Sequence, residues 1–568
     1  MLLRNYRKMQ IIKSVVLYTI CMMPFILFAQ TTYLTPGSKD YNVIDRLEIK
    51  TRNEQLSFSV IKPYPRKSVI KSVEYIDSLV QANDASVANI TETDKYDIQN
   101  LLMENSEWSN PRDSYINSKP VLKALYKNKA NLLEVNEPDF FLVVNPIVAF
   151  TYGKENSQHD KIFQNTRGIA IRGMISKKIG FHLYATENQE RDPLYVQAFE
   201  KKFTAVPGVG FYKPYNKNGF DYFDARGSVT WNVAKFIDMQ FGYDKNSIGA
   251  GYRSLFLSDF SNSALFVKIN TRIWKLNYEN LFFELYHAHS GLGGNTLFDR
   301  KYARMNHLSV NATKWLNVGL FESVIFGRKN HFDFQYMIPV MFIRPSEQQT
   351  GSGDNAMVGL DAKANLAKKV QLYGQLLFDE FQAKEIFKNN GFWSNKYGYQ
   401  LGVKYIDAFG VNNLDIQLET NRVRPYTYSH YDSVATYTHY NQPLAHPLGA
   451  GFQELIAIVK ARPIKKLYLQ AKIIHYIQGL DSAGVDFGSN PFINYNLRPR
   501  DFGFSIGTGD KATCNIMELV ASYELIDNFF IEATGFRRTF KTQSGRNENS
   551  NVFTFGIRWN IARRVFDF

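Results

Sequence analysis

The 568-residue chain has only two cysteines, Cys21 and Cys514. Cys21 lies in the first thirty residues, so a chain cleaved just beyond them keeps one thiol and cannot close an intramolecular disulfide. A disulfide-stapled secreted scaffold is therefore excluded. Long apolar runs are also scarce. After the N-terminus no stretch reaches the roughly eighteen consecutive apolar residues that a membrane helix needs. Catalytic signatures are missing too: no Gly-x-Ser-x-Gly elbow, His-Glu-x-x-His helix, Cys-x-x-Cys pair or phosphate-binding Gly loop is expected. His182, His287, His289, His430, His439 and His446 are scattered. His287 and His289 could share a strand face, but no third ligand lies near them in sequence. Asp379 and Glu380 are adjacent, and neighbours on a strand face opposite sides, which is wrong for joint acid and base work. No catalytic residue, metal ligand or cofactor is expected, and the chain reads as a non-enzyme.

What is present begins with an export signal. Arg4, Arg7, Lys8 and Lys13 precede a mostly apolar run from Val15 to Phe28 that ends in Ala29, the pattern of a signal peptide covering residues 1–29. Its removal takes four of the 67 basic residues and none of the 53 acidic ones, so the net charge falls from +14 to about +10. Aromatic residues make up 15% of the chain, with 34 Tyr and 44 Phe. An exported, aromatic-rich chain without a second hydrophobic helix fits a transmembrane β-barrel, but a large β-sandwich or propeller shares that composition. Strand pattern and connections must decide.

From Asp139 onward, segments of about ten residues alternate apolar and polar positions. Phe553, Phe555, Ile557 and Trp559 oppose Thr554, Gly556, Arg558 and Asn560. Eight short turns, such as Lys177-Lys178 and Ile526-Asp527, alternate with nine long polar or Gly-rich stretches. That alternation predicts about eighteen antiparallel strands in residues 139–568, with short periplasmic turns and long external loops. The terminal Phe566-Asp567-Phe568 reads as the aromatic end of the closing strand. Glu322 would point to lipid by regular alternation, so a bulge is expected to re-aim it.

Residues 30–138 carry helical periodicity instead. Val69, Ile70, Val73, Ile76, Leu79 and Val80 predict one helix, Ile98, Leu101 and Leu102 a second after a cap at Thr93, and Val121, Leu122 and Leu125 a third beginning near Ser118. This segment reads as a plug or periplasmic lid.

Alternation turns Arg172, Asp361, Lys363, Asp379, Asp415, Glu419, Lys460, Lys472, Glu518, Glu532 and Arg558 toward the lumen. Outside, residues 425–447 gather Tyr426, Tyr428, Tyr431, Tyr437 and Tyr440, whose flat amphipathic rings suit stacking on sugar faces; an aromatic belt is the alternative.

Phe326-Gly327-Arg328-Lys329, Phe334 to Pro339, Arg344-Pro345, Glu347-Gln348 and Ser352 to Ala356, followed by Phe378-Asp379-Glu380-Phe381, resemble the Wzi-type capsule assembly barrels. With Ser118-Lys119-Pro120 and the stretch from Asn131 to Val144, the likeness extends to RemB-type proteins of gliding bacteria. Gly353 departs from the pattern, where proline is expected. The resemblance implies an eighteen-stranded barrel with a helical plug that anchors or organises surface polysaccharide, or supports adhesion in gliding, without a cofactor. It also makes Arg328, Lys329, Arg344, Glu347, Asp354 and Asn355 candidates for glycan contact, unless their loop folds inward and merely constricts the lumen. The expected location is the bacterial outer membrane. Expected partners are its lipid and lipopolysaccharide, surface polysaccharide, and export or gliding proteins, but not nucleic acid. A diffusive porin or transporter is the alternative function.

Overall fold

A computed structural model describes residues 31–568 except 123, 288–296, 340–342, 350, 352, 381 and 389. The expected signal peptide, residues 1–29, and His289, Ser352 and Phe381 lie outside the described residues. Among the described residues no helix is long and apolar enough to cross a membrane.

Eighteen antiparallel strands among the described residues close into a barrel. They are β1 Phe140–Glu155, β2 Ile162–Ile175, β3 Ile179–Arg191, β4 Gly219–Ala234, β5 Ile237–Asp244, β6 Ala264–Ile273, β7 Leu276–His287, β8 Asp299–Asn311 and β9 Leu316–Phe326. There follow β10 Asn355–Leu366, β11 Val370–Glu380, β12 Lys396–Tyr405, β13 Leu414–Val423, β14 Phe452–Ala461, β15 Leu467–Leu480, β16 Asp510–Ile526, β17 Phe529–Thr542 and β18 Asn547–Trp559. The barrel closes where β18 pairs with β1, from Val552 opposite Glu155 to Trp559 opposite Val148. A short strand, Leu133–Glu137, continues along the same edge of β1, from Val144 to Phe140. Period-2 alternation explains the wall: Phe553 and Phe555 are exposed on the outside while Asp361 and Lys363 are buried within.

The end of the chain differs from expectation. The closing strand stops at Trp559, and the aromatic terminus is not part of it. Residues 560–568 turn back into the lumen, where Asp567 pairs with Arg253 (2.9 Å) and Lys472 (2.6 Å). The Tyr195 hydroxyl donates to the carbonyl of Phe566. An acidic residue between two phenylalanines suits this path, because a carboxylate facing buried cations is stable where a lipid-facing one is not.

The N-terminal segment forms three helices, α1 Asp40–Thr51, α2 Arg66–Gln81 and α3 Glu92–Glu104. They bury Ile44, Leu47, Ile70, Val73, Ile98 and Leu101 in one core. Thr91 rather than Thr93 caps α3, in a capping box with Asp94. No helix begins near Ser118 among the described residues; a 3₁₀ turn at Asp113–Tyr115 and isolated bridges occupy that region instead. Pro120 cannot donate to a ladder, and Leu122 and Tyr126 adopt positive φ, which breaks a helical path.

This bundle sits inside the short-turn mouth. Arg46 contacts Asp407 at 2.9 Å and also pairs with Asp415, while Lys50 reaches Asp407 at 2.6 Å. Lys39 bridges Glu524 and Asp527 beside the β16–β17 turn. Glu48 accepts from Lys363 at 2.7 Å, and Glu107 from Arg172 at 3.0 Å.

Above the bundle, the β5–β6 loop (residues 245–263) folds into the lumen. Its Tyr252 and Arg253 amides donate to Glu419, and Phe256 stacks on Phe321 with ring centroids 4.5 Å apart. Gly359 makes room for that ring: a Cβ there would lie 2.4 Å from Phe256. This loop, not the described part of residues 327–353, constricts the interior.

Candidate functional site: the long-loop face

The candidate site is built from loops that the barrel brings together at its long-loop mouth. Residues 381–395, 424–451 and 481–509 follow β11, β13 and β15, which are distant in sequence. Trp393 and Tyr495 rings lie 4.8 Å apart, Tyr431 is 6.3 Å from Tyr495, and His430 is 4.3 Å from Tyr431. The Arg498 guanidinium sits 3.9 Å from the Trp393 ring centroid, and the Lys396 ammonium 4.2 Å from that of Tyr495. Backbone and amide bonds fix these rings: the Trp393 amide donates to Asp501 O at 2.9 Å, Asn494 donates to Tyr431 O, and Arg498 pairs with Asp501 at 2.8 Å.

Tyr431 is 43% exposed, Phe502 49% and Leu497 67%, so this cluster presents flat apolar faces, with Lys396 buried beneath them and the part-buried Arg498 held by Asp501. Burial, then Glu380 and Asp379, pushes the Tyr495 phenol up to about 12, which keeps it a neutral donor. Such a surface can stack a sugar ring. Trp393, Tyr495 and Arg498 escaped the sequence reading, although the Phe392-Trp393 pair inside a long loop was a usable signal.

Among the predicted tyrosines, the structure leaves only Tyr431 well exposed. Tyr426, Tyr428 and Tyr437 are fully buried and Tyr440 nearly so, which removes them as sugar-stacking groups. Their hydroxyls lock the loops instead: Tyr426 donates to Asp486 O (2.9 Å), Tyr428 to Leu255 O (2.8 Å) and Tyr437 to Phe256 O (2.7 Å). The last two bonds tie the 424–451 loop down onto the inward β5–β6 loop.

The second predicted group also disperses. Phe326 and Val324 point out of the barrel, and residues 327–339 and 343–349 drape over that outer wall, packing Tyr336 and Ile343 on Tyr302, Val324 and Phe326. Asp354 binds Arg328 through both guanidinium nitrogens and accepts from Tyr336 at 2.6 Å. Glu347 is buried, Asn355 donates to Ala435 O, and Lys329 and Arg344 remain exposed. Glu322 keeps regular register with no bulge; a short helix, Ile343–Gln349, covers it, and its carboxylate accepts the Ile343 amide. Arg172, Lys363 and Asp415 contact the bundle, Asp379 accepts the Tyr428 amide, and Asp361 pairs with His307. Lys472 binds the C-terminal tail and Arg558 binds Glu532.

A Gly-x-Ser-x-Gly string, Gly503 to Gly507, lies in the 481–509 loop. Its Ser505 hydroxyl meets Thr508 at 3.3 Å, and the segment is an irregular turn rather than a strand-to-helix elbow. Deeper, a cavity of about 590 Å³ lies between bundle, tail and wall, lined by Arg226, Arg253, Arg462, Arg558, Arg563 and Arg564. Each of these cations already has a carboxylate partner: Asp224, Asp567, Asp97, Glu532, Glu518 and Glu190 in turn.

No protein-family model matches the chain, and no curated protein does. Solved structures do. OprD of Pseudomonas aeruginosa aligns at 13% identity and a TM-score of 0.42, over 74% of this chain and 94% of that one. OccAB2 of Acinetobacter baumannii aligns at 10% and 0.41, over 74% and 97%. Wzi of Escherichia coli, described as an outer-membrane protein of group 1 capsule assembly and a carbohydrate-binding β-barrel, aligns at 13% identity and 0.55, over 94% of this chain and 100% of that one. At that identity the likeness is one of fold: this chain shares the closed eighteen-stranded barrel.

Proposed function

We propose that this chain is a non-enzymatic outer-membrane barrel that holds surface polysaccharide on its external loops and does not pass solute through its lumen. The observation that carries this reading is the filled interior beneath an exposed aromatic and basic face. A helical bundle, an inward loop and the C-terminal tail occupy successive levels of the barrel, while Trp393, Tyr431 and Arg498 stand above them. The apolar outer wall suits lipid and lipopolysaccharide, and the short turns then face the periplasm. The carbohydrate binding of Wzi agrees with this reading. Export proteins that deliver the glycan are the natural partners, and adhesion in gliding is a use to which a retained glycan could be put.

Glycan retention on cells tests the proposal. Trp393→Ala with Arg498→Ala should lower retention at least tenfold with the barrel still folded, given about 0.5–1.5 kcal/mol for stacking and about 1.5–3 kcal/mol for a charged hydrogen bond. Unchanged retention sinks the assignment of this face. Steady conductance of the wild-type protein in planar bilayers would favour the porin reading.

A further inference from the structure

One buried cluster plays no part in the glycan face. Glu190 at the end of β3, Asp192 just after it, and Glu200 in the helix α4 (Leu194–Phe203) bring one carboxylate oxygen each within 4.8 Å of one another. All three residues are buried, at 1%, 5% and 0% exposure. Like charges at that spacing repel strongly in a low-dielectric site unless something neutralises them. One cation is at hand: Arg564 of the C-terminal tail lies 3.2 Å from Glu190. It leaves two negative charges without a counter-ion in contact.

The hydrogen bonding points the same way. Neither carboxylate oxygen of Glu200 accepts a hydrogen bond from any described donor, nor does Oδ2 of Asp192, whereas Oε1 of Glu190 has its ion pair with Arg564. A buried carboxylate oxygen normally has a partner, and orphaned ones cost about 1–3 kcal/mol each. Neighbouring amides that could have served are engaged elsewhere: Gln197 donates to the Asp192 carbonyl at 2.6 Å and to Gln158. A cavity of about 130 Å³, lined by Glu190, Asp192, Pro193, Tyr195 and Arg564, adjoins the cluster. At roughly 30 Å³ per water it holds about four.

We propose that Glu190, Asp192 and Glu200 form a binding site for a hard divalent cation, of which calcium fits best. Three carboxylates plus several waters supply the six to eight oxygen ligands that calcium takes in flexible geometry, whereas magnesium demands a tighter octahedron. The bound ion joins the rim of β3 to α4. Through α4 it also holds the tail, because Tyr195 binds the Phe566 carbonyl and Phe199 packs on Phe568 with centroids 4.9 Å apart. Cation binding then stiffens the cork in the lumen.

The test uses the full-length protein in detergent, stripped with EDTA and titrated with CaCl₂. The wild type should gain about 5 °C or more in unfolding midpoint at saturating calcium, since a ligand that binds only the folded state stabilises it. Terbium should show luminescence sensitised by Tyr195. Glu200→Gln and Asp192→Asn should each abolish both responses. In EDTA each should melt no lower than the wild type, because the substitution removes repulsion rather than a contact. An unchanged wild-type midpoint without terbium signal overturns the proposal, leaving carboxyls that share protons. A calcium response that Glu200→Gln retains in full also overturns it, assigning the effect to lipid or another site.

Discussion

The two mouths of this barrel are closed by different chemistry. At the short-turn mouth, Arg46, Lys50 and Lys39 of the bundle reach Asp407, Asp415, Glu524 and Asp527 of the wall, so charge meets charge out of contact with water. At the long-loop mouth charged contacts are joined by a set of neutral fastenings on the 424–451 loop: phenol hydroxyls of Tyr426, Tyr428 and Tyr437 donate to backbone carbonyls, and His439 accepts the Tyr286 amide at 3.0 Å while donating to Ser263 O. Buried ion pairs fail badly when one partner is lost, because the other stays buried and charged. Neutral bonds fail singly and mildly. The bundle should therefore release as a unit, and the loops should loosen piecemeal.

The largest effect belongs to Arg46. Arg46→Ala leaves Asp94, Asp407 and Asp415 without their shared guanidinium and should cost about 3–5 kcal/mol. Limited trypsin digestion should then cut within residues 31–131 while the barrel resists. Equal protection of mutant and wild type would mean that apolar packing alone holds the bundle, and the contrast between the mouths would collapse.

Acid separates the two mouths next. Burial lowers the His439 imidazole to about 4, from 6.5. A base whose folded pKa is depressed gives its full stability above 6.5, and that stability drains away as pH falls toward 4. The loss approaches about 3 kcal/mol at 1.36 kcal/mol per unit. At the other mouth, burial would raise the Asp94 carboxyl, but Arg46 and Lys50 hold it well below the usual range, so it stays ionised throughout that window. Hydrogen exchange at pH 4.5 against pH 7 should rise in residues 424–451 and not in α1 or α3. His439→Gln should flatten the difference.

A smaller effect is expected from Tyr428→Phe. It removes one donor from the buried Leu255 carbonyl, at a cost of about 1–2 kcal/mol, and should speed exchange in residues 249–263 without affecting the bundle. A change spreading to α1 would show the two mouths to be coupled.

The barrel was readable because every strand has two unlike faces and every second connection is short. Phe553, Phe555 and Arg558 declare their sides within one strand. Helix α2 was readable for the same local reason, its apolar residues recurring at helical spacing. Helix α1 was not, since it buries Arg46, Glu48 and Lys50 against charges supplied by β10 and the β12–β13 region, and such residues read as solvent-facing. The loop tyrosines misled for a related reason. A phenol that stacks on sugar and one that ties two loops together are the same residue in a polar loop, and only the distance to Leu255 or Phe256 separates them. Trp393 lies about a hundred residues before Tyr495 and Arg498, on another loop, and only the order of strands around the barrel makes them neighbours.

The smallest effect is expected where the family resemblance placed most weight. Arg344 is half exposed and pairs with Glu347 one turn away on its own helix at 2.8 Å, a geometry worth about 0.3–0.5 kcal/mol. The segment it belongs to is held from the wall, through Glu322 at the helix start and through Asp354 on Arg328 and Tyr336. Arg344→Ala should accordingly shift the unfolding midpoint by less than about 1 °C for a chain of this size, and should leave glycan retention at the wild-type level. A fall in retention comparable to that of the Trp393 and Arg498 substitutions would move the binding face from the rim to the draped outer loop. It would also make the neutral mouth a fastening without a ligand role.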